Sequence, residues 1–371
     1  MTPTAPDSLT RHLADLIQVQ GPIPVSVYMA EALGHPDLGY YMTREPIGRD
    51  GDFITAPEVS QFFGELIGIW CVDIWQRMGS PPSFCLTELG PGKGTLMIDL
   101  VRALSAMPGA AEAAHIHMIE TSPSLADQQR KNLDRAGIAG ARWHQRLADI
   151  PRGPLIVVAN EFFDALPVRQ YVRTERGWHE RLVDWDPAAE CFRFVLAARP
   201  AADPEAVPQE LKHAPEDEVV ESCPAAQALV SDLAERLVKD DGAVLVIDYG
   251  SAESATGDSL QAVSGHATHP VLDRPGEADL TAHVDFAALA KAGQAAGAAA
   301  HGPVTQGSFL QALGIDLRAA ALAEHATPAQ QHDLQTAVER LCAPEQMGEL
   351  FKVLAFTRAD HLPPAGFEAA S

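Results

Sequence analysis

Cations are scarce in this chain. It carries 27 Lys and Arg against 50 Asp and Glu, a formal net charge of −23. A surface that acidic repels phosphate backbones and anionic headgroups, which argues against nucleic-acid binding and membrane association. Its simplest reading is that the charge keeps the protein in solution, and it is compatible with a basic segment of a partner protein. Cysteine is also sparse. The five cysteines, at positions 71, 85, 191, 223 and 342, are odd in number and contain no C-x-x-C pair. Neither a disulfide framework nor a cysteine-rich zinc site is expected, and a reducing, cytoplasmic setting follows. No apolar run reaches the ~18 residues that a membrane-spanning helix requires. The first ten residues have neither the basic nor the apolar region of a signal or transit peptide.

Hydrophobic residues make up 46% and charged residues 21%, a globular composition. At about 150 residues per domain, the length predicts two to three units or one large core with insertions. Residues 1–80 read as helical. Ser8 is placed to cap a helix to about Gln20, with Leu9, Leu13, Leu16 and Ile17 on one face and Gly21 after it. A second helix spans 27–33, and a third runs from about 58 to 78. Between them, 35–57 is rich in Gly and Pro and too long for a plain connector.

From residue 81 the pattern becomes alternating strands and helices. Strands are expected at 84–89, 115–120, 141–144, 155–159 and 243–247, with helices at 95–106 and 123–136. This alternation means a parallel, doubly wound sheet. Residues 81–165 and 223–300 are the two parts of that core. Residues 166–222 form a β-rich insertion followed by an exposed loop, 301–345 a helical insertion, and 346–371 a last strand and tail.

The most informative segment is Glu88-Leu89-Gly90-Pro91-Gly92-Lys93-Gly94-Thr95, which leaves a strand and opens a helix. Glycines at alternate positions permit a tight turn and close approach of a ligand. The third glycine comes one residue too early for the G-x-G-x-x-G of nicotinamide dinucleotide sites, and the spacing of a phosphate loop is absent. An acid just before the turn would repel a pyrophosphate. The order acid, apolar residue, G-x-G-x-G resembles the first motif of class I S-adenosylmethionine (SAM)-dependent methyltransferases, and the acid suits SAM, which carries a sulfonium and an ammonium and no phosphate. Glu120, at 120 − 94 = 26 residues beyond Gly94, ends the next strand, where an acid accepts ribose hydroxyls. Ser122 is the better placed residue to cap the following helix. The third piece, Asn160-Glu161-Phe162-Phe163-Asp164-Ala165-Leu166-Pro167, follows the strand 155–159. Carboxylates between aromatic walls there suit a guanidinium.

Read together, 88–95, 160–170, 51–58, 281–286, 305–310, and Met347-Gly348 ahead of Phe351-Lys352-Val353 resemble one family, the MidA-like methyltransferases, over about residues 8–358. The resemblance implies a class I SAM-methyltransferase fold. That is an α/β, Rossmann-like, mostly parallel sheet with helices on both faces, an added helical N-terminal region and a β-rich insertion. It implies SAM as cofactor, with Glu88, Gly90, Gly92, Gly94 and Glu120 holding it and the loop around Asp52 covering it. The family includes a mitochondrial arginine methyltransferase that aids complex I assembly. By resemblance the acceptor is an arginine of a protein, in a 49-kDa-type complex I subunit, with Glu161 as the leading catalytic residue and Asp164, Asn160 and His283 beside it. Asp248 is placed to face the acceptor and Asp285 to cap a helix. No metal is expected, because His266, His269 and His283 lack a companion acid at ligand spacing. Three other readings stand beside this one: an assembly factor that holds SAM without transferring methyl, a methyltransferase of small molecules and, against the glycine spacing, a dehydrogenase.

Overall fold

The computed structural model describes residues 8–44, 55–201 and 207–367. Asp52, with the rest of residues 45–54 of the loop expected to cover the cofactor, lies outside them. The chain divides into two compact units. One comprises Met1–Phe53, Asp164–Ala226 and Glu253–Asp285, and the other Ile54–Phe163, Gln227–Ala252 and Phe286–Ser371.

The larger unit is built on a mixed sheet. Its strands are β1 (Phe84–Leu89), β2 (Ala114–Ile119), β3 (Arg142–His144), β4 (Leu155–Asn160), β5 (Gly242–Ser251), β6 (Ala298–Thr305) and β7 (Phe351–Arg358). They lie in the order β6-β7-β5-β4-β1-β2-β3. The pairs β1–β2, β2–β3, β1–β4 and β4–β5 are parallel, whereas β7 runs antiparallel to both neighbours. Every residue of β1 and β4 is buried, as central strands covered on both faces must be. Strand order reverses between them, so a crevice opens outside their carboxyl ends, where ligands of open α/β sheets sit.

The helices follow from amphipathic spacing. They include α1 (Ala56–Val59), α2 (Gln61–Arg77), α3 (Thr95–Ser105) and α4 (Pro123–Arg135). Phe62, Phe63, Leu66, Ile67 and Trp70 of α2 share one core with Leu96, Met97 and Leu100 of α3 and with Leu86, Val158 and Ile247 of the sheet. One expectation is corrected here. The stretch 58–78 is not a single helix, because Ser60 is extended (φ −162°, ψ 138°) and separates α1 from α2. The break leaves α1 a short helix apart from α2, with Ala56 at its amino end. The helices α2 and α3 approach closely through two glycines. A Cβ on Gly64 would lie 2.5 Å from the Asp99 Cβ, and one on Gly68 2.5 Å from the Ala103 Cβ.

The smaller unit packs helices Leu9–Gln20 and Val25–Gly34 with strands Arg169–Thr174, Gly177–Asp186 and Cys191–Leu196. Leu13, Ile17, Tyr28, Met29, Tyr40, Val183 and Leu280 belong to its core. Ser8 caps the first helix as expected, accepting the Arg11 N–H. The expected exposed loop before residue 222 is corrected in part. Val219–Ser222 is a strand paired with Arg169–Thr174, because Val220 buries its side chain against Tyr171 and Val207. Among the described residues no helix is long and apolar enough to cross a membrane.

The close approach of α2 to α3 fixes where the glycine turn begins, so a side chain at their contact is costly. Gly68→Val is expected to lower stability by about 1–3 kcal/mol through overpacking. Urea denaturation measures this, and an unchanged midpoint would contradict the packing described.

Candidate active site

β1 ends at Leu89, and the chain turns through three left-handed residues: Gly90 (φ 60°), Gly92 (φ 53°) and Gly94 (φ 80°). Side chains rarely tolerate that region. Space forbids them too, since a Cβ on Gly90 would lie 2.7 Å from the Phe162 ring and one on Gly94 3.0 Å from Leu133. Gly94 then caps α3.

Two acids frame the turn. Glu88, 3% exposed, has its pKa raised well above the carboxylate range, first by burial. The Met97 N–H opposes this, and the charges of Asp99 and Glu120 add to it. Among the described residues its Oε2 has no hydrogen-bond partner. Asp99, on α3, is pushed up to about 6 by burial despite its 2.6 Å pair with Arg102. Glu120 follows β2. Its Oε1 accepts the Ser122 N–H at 2.8 Å and its Oε2 accepts from the Gln129 amide at 3.0 Å. Burial nevertheless raises its pKa.

The turn after β4 is the other wall. Asn160 ends the strand, and Glu161 sits in the left-handed region at φ 51°. A non-glycine residue there stores about 1–3 kcal/mol and persists only where its surroundings hold it. The holding groups are visible. The Glu161 N–H donates to the Ile247 carbonyl at 2.9 Å. Its Oε1 accepts from the Ala56 N–H at 2.9 Å and from the Asn160 amide at 3.0 Å. The Ala56 group is the amino end of α1, which the extended Ser60 sets apart from α2. Beneath the turn, the fully buried Asp248 accepts from Phe162 N–H (3.1 Å) and Phe163 N–H (2.9 Å) with one oxygen and from Tyr249 N–H (3.0 Å) with the other. The placement of Asp248 toward an acceptor is therefore corrected. Its carboxylate is used up as a strap for the turn.

The structure thus gathers Glu88, Gly90, Gly92, Gly94, Glu120, Asn160 and Glu161 at the carboxyl ends of β1, β2 and β4. Asp164 and His283 belong to the smaller unit. There Asp164 is buried, and its carbonyl accepts the Ala282 N–H at 3.0 Å. His283 is exposed, and its N–H donates to the Ser259 hydroxyl at 2.8 Å. Asp285 precedes the helix Phe286–Ala295, and its carboxylate accepts the Ser254 hydroxyl at 2.6 Å.

Comparison with known proteins matches residues 66–304 to a family described as "Putative S-adenosyl-L-methionine-dependent methyltransferase". The chain belongs to this methyltransferase family. It is 40% identical over 370 residues to "Protein arginine methyltransferase NDUFAF7, mitochondrial" of Danio rerio, covering 93% of this chain and 86% of that protein. The Homo sapiens protein of the same name is 37% identical over 372 residues, covering 94% and 82%. A crystal structure from Burkholderia thailandensis bound to S-adenosyl-homocysteine superposes with a TM-score of 0.83 at 32% identity, covering 98% of this chain and 93% of that one.

The methyltransferase uses SAM, and its residues fit that cofactor. Three left-handed glycines let a ligand lie close against the backbone of the turn, and the buried Glu88 oxygen, without a hydrogen-bond partner among the described residues, suits a cationic ligand rather than a phosphate. Sequence reasoning missed the Asp248 strap, the Ala56 N–H and Gln129, which touches both the glycine turn and Glu120. No local motif marks any of them. A group with metal-ligating atoms within 4.8 Å, His12, Glu31 and His35, occurs in the smaller unit. There His12 pairs with Glu31 at 3.3 Å and His35 Nδ1 accepts the Asp37 N–H, which engages those atoms with each other and with backbone.

The Asp248 strap is testable in the methyltransferase without its ligands. Asp248→Ala strips three backbone N–H groups of their acceptor and is expected to lower stability by about 3 kcal/mol or more in chemical denaturation. A denaturation midpoint for Asp248→Ala equal to that of the wild type would contradict the strap.

Proposed function

We propose that this methyltransferase transfers methyl groups to an arginine of a protein, that its acceptor is a 49-kDa-type subunit of respiratory complex I, and that it acts in the cytoplasm. Relatives named protein arginine methyltransferases support the acceptor class. The MidA-like resemblance supports the subunit, and the net charge of −23 suits a basic acceptor segment. The observation that carries the reading is Glu161: a carboxylate on a strained turn at the carboxyl end of β4, held by two donors to one oxygen.

When bound, SAM supplies a methyl group already carried on a sulfonium leaving group. The glycine turn and Glu120 would hold the nucleoside, with Glu120 as acceptor for its ribose hydroxyls and Glu88 as the acid at the turn that suits a cationic ligand. Arginine is a poor nucleophile because its lone pairs are delocalised and its pKa exceeds 12. Glu161 grips the guanidinium, draws its positive charge toward the nitrogens it touches and leaves density on the nitrogen that attacks. It then takes up the proton that the methylated nitrogen releases. Asn160 orients Glu161 through its amide. Asp164, three residues further along the chain, is the second candidate for binding the guanidinium, and His283 the third.

Incubating the protein with methyl-labelled SAM and a lysate of cells lacking it tests the acceptor. Mass spectrometry is expected to find dimethylarginine in one dominant complex I band. Labelling confined to small molecules, or absent despite SAM binding, would overturn the reading. Glu161→Gln is expected to slow transfer about a hundred-fold or more while binding S-adenosyl-homocysteine as before. Wild-type transfer by that variant would remove Glu161 from the mechanism.

Cofactor binding carries its own pH signature. Only the ionised Glu120 accepts both ribose hydroxyls, and burial raises its pKa above the ordinary carboxylate range. Affinity for S-adenosyl-homocysteine is therefore full above that raised pKa and falls as pH drops through it. Glu120→Gln is expected to bind more weakly at neutral pH and to lose this dependence. Calorimetric titration across pH checks it, and identical profiles for both proteins would contradict the role.

A further inference from the structure

Gln129 lies on α4, fully buried, one turn before Leu133. Its amide is engaged on both sides. The nitrogen donates one hydrogen to the Gly92 carbonyl at 2.8 Å and the other to Glu120 Oε2 at 3.0 Å. The oxygen accepts the Trp143 indole N–H at 2.8 Å. This pattern fixes the orientation of the amide. A flipped amide would set its oxygen against a carbonyl and a carboxylate, and its NH₂ against an N–H. Three residues on, Asn132 donates to the Lys93 carbonyl at 3.0 Å. One face of α4 therefore draws two consecutive carbonyls of the glycine turn onto itself.

We propose that Gln129 is the positioning residue for nucleoside recognition in this methyltransferase: a single amide nitrogen ties the glycine turn to the Glu120 carboxylate, so that discrimination of the ribose hydroxyls depends on it. The proposal rests on the reading of Glu120 as acceptor for those hydroxyls. No other side chain of similar size does the same work. Asn is a methylene too short, Met offers no donor, and Glu would set a second carboxylate against Glu120 and against a carbonyl. Trp143 completes the chain from the far side. Its indole N–H orients the amide, and Arg130 lies over its ring at 4.6 Å. The glycine turn, the ribose acid and the strand β3 thus share one hydrogen-bonded node that no ligand need touch.

The test is calorimetric binding of S-adenosyl-homocysteine and of its 2′-deoxyribose analogue to the full chain. The wild type is expected to prefer the ribose form. Gln129→Met is expected to weaken binding of S-adenosyl-homocysteine about ten-fold, as loss of a buried charge-assisted hydrogen bond does, and the analogue much less, so that the preference collapses. In a Glu120→Ala background the same change is expected to cost less than about two-fold, the sign of two residues acting through one interaction. Gln129→Glu is expected to bind poorly at neutral pH and to recover as pH falls and one of the paired carboxyls takes a proton, which a purely structural role would not produce. Should Gln129→Met fail to fold, Trp143→Phe removes the far hydrogen bond together with part of the ring beneath Arg130, leaves both Gln129 donors in place, and is expected to reduce the ribose preference in part. Equal weakening of both ligands by Gln129→Met, full additivity with Glu120→Ala, or an unchanged preference in Trp143→Phe would overturn the proposal. A wild type without ribose preference would overturn the Glu120 reading itself. A ribose preference that Glu120→Ala abolishes but the Gln129 and Trp143 variants leave intact would overturn only the role of Gln129.

Discussion

The loops leaving β1 and β4 interlock, and the site depends on that contact. The Phe162 ring stands 2.7 Å from where a Cβ on Gly90 would be, so the glycine turn can close only because position 90 has no side chain. Phe162 reaches that place because Glu161 before it is left-handed, and Glu161 is held so by the Asp248 strap and the contacts to Ala56, Asn160 and Ile247. A change in one turn is therefore transmitted to the other. The glycine turn and the turn that carries the Glu161 carboxylate are thereby set in one register.

The electrostatics follow from burial. Glu88, Asp99 and Glu120 gather behind the glycine turn, and all three have raised pKa values for the same first cause, removal from water. Repulsion among them adds for Glu88. A site of this kind disfavours phosphate and favours a cationic ligand without one, the chemistry that separates SAM from a dinucleotide. The donors that hold Glu120, the Ser122 N–H and the Gln129 amide, keep its carboxylate fixed in an otherwise apolar setting.

Much of this was legible along the chain, because glycine spacing and apolar runs act locally. The parallel core, the glycine turn at 90–94 and the acids at the ends of successive strands all depend on neighbours within a few residues. The missed features depend on partners far apart. Asp248 reads as a residue past a strand end, and only the parallel pairing of β4 with β5 sets it under Phe162, 86 positions away. Gln129 reads as a polar residue on an amphipathic helix, and only packing of α4 on the glycine turn makes it a node. The break at Ser60 was hidden because 58–78 has unbroken helical spacing of apolar residues, while the contact that uses the break, from Ala56 to Glu161, spans 105 positions.

The most direct test of these relations is a crystal structure of the protein with S-adenosyl-homocysteine. Both ribose hydroxyls are expected within about 3 Å of the Glu120 oxygens, with Gln129 still bridging Gly92 and Glu120, and Glu161 still left-handed and bonded to the Ala56 N–H. A ribose bound away from Glu120, or a Glu161 relaxed to negative φ with its carboxylate turned out of the crevice, would contradict these relations.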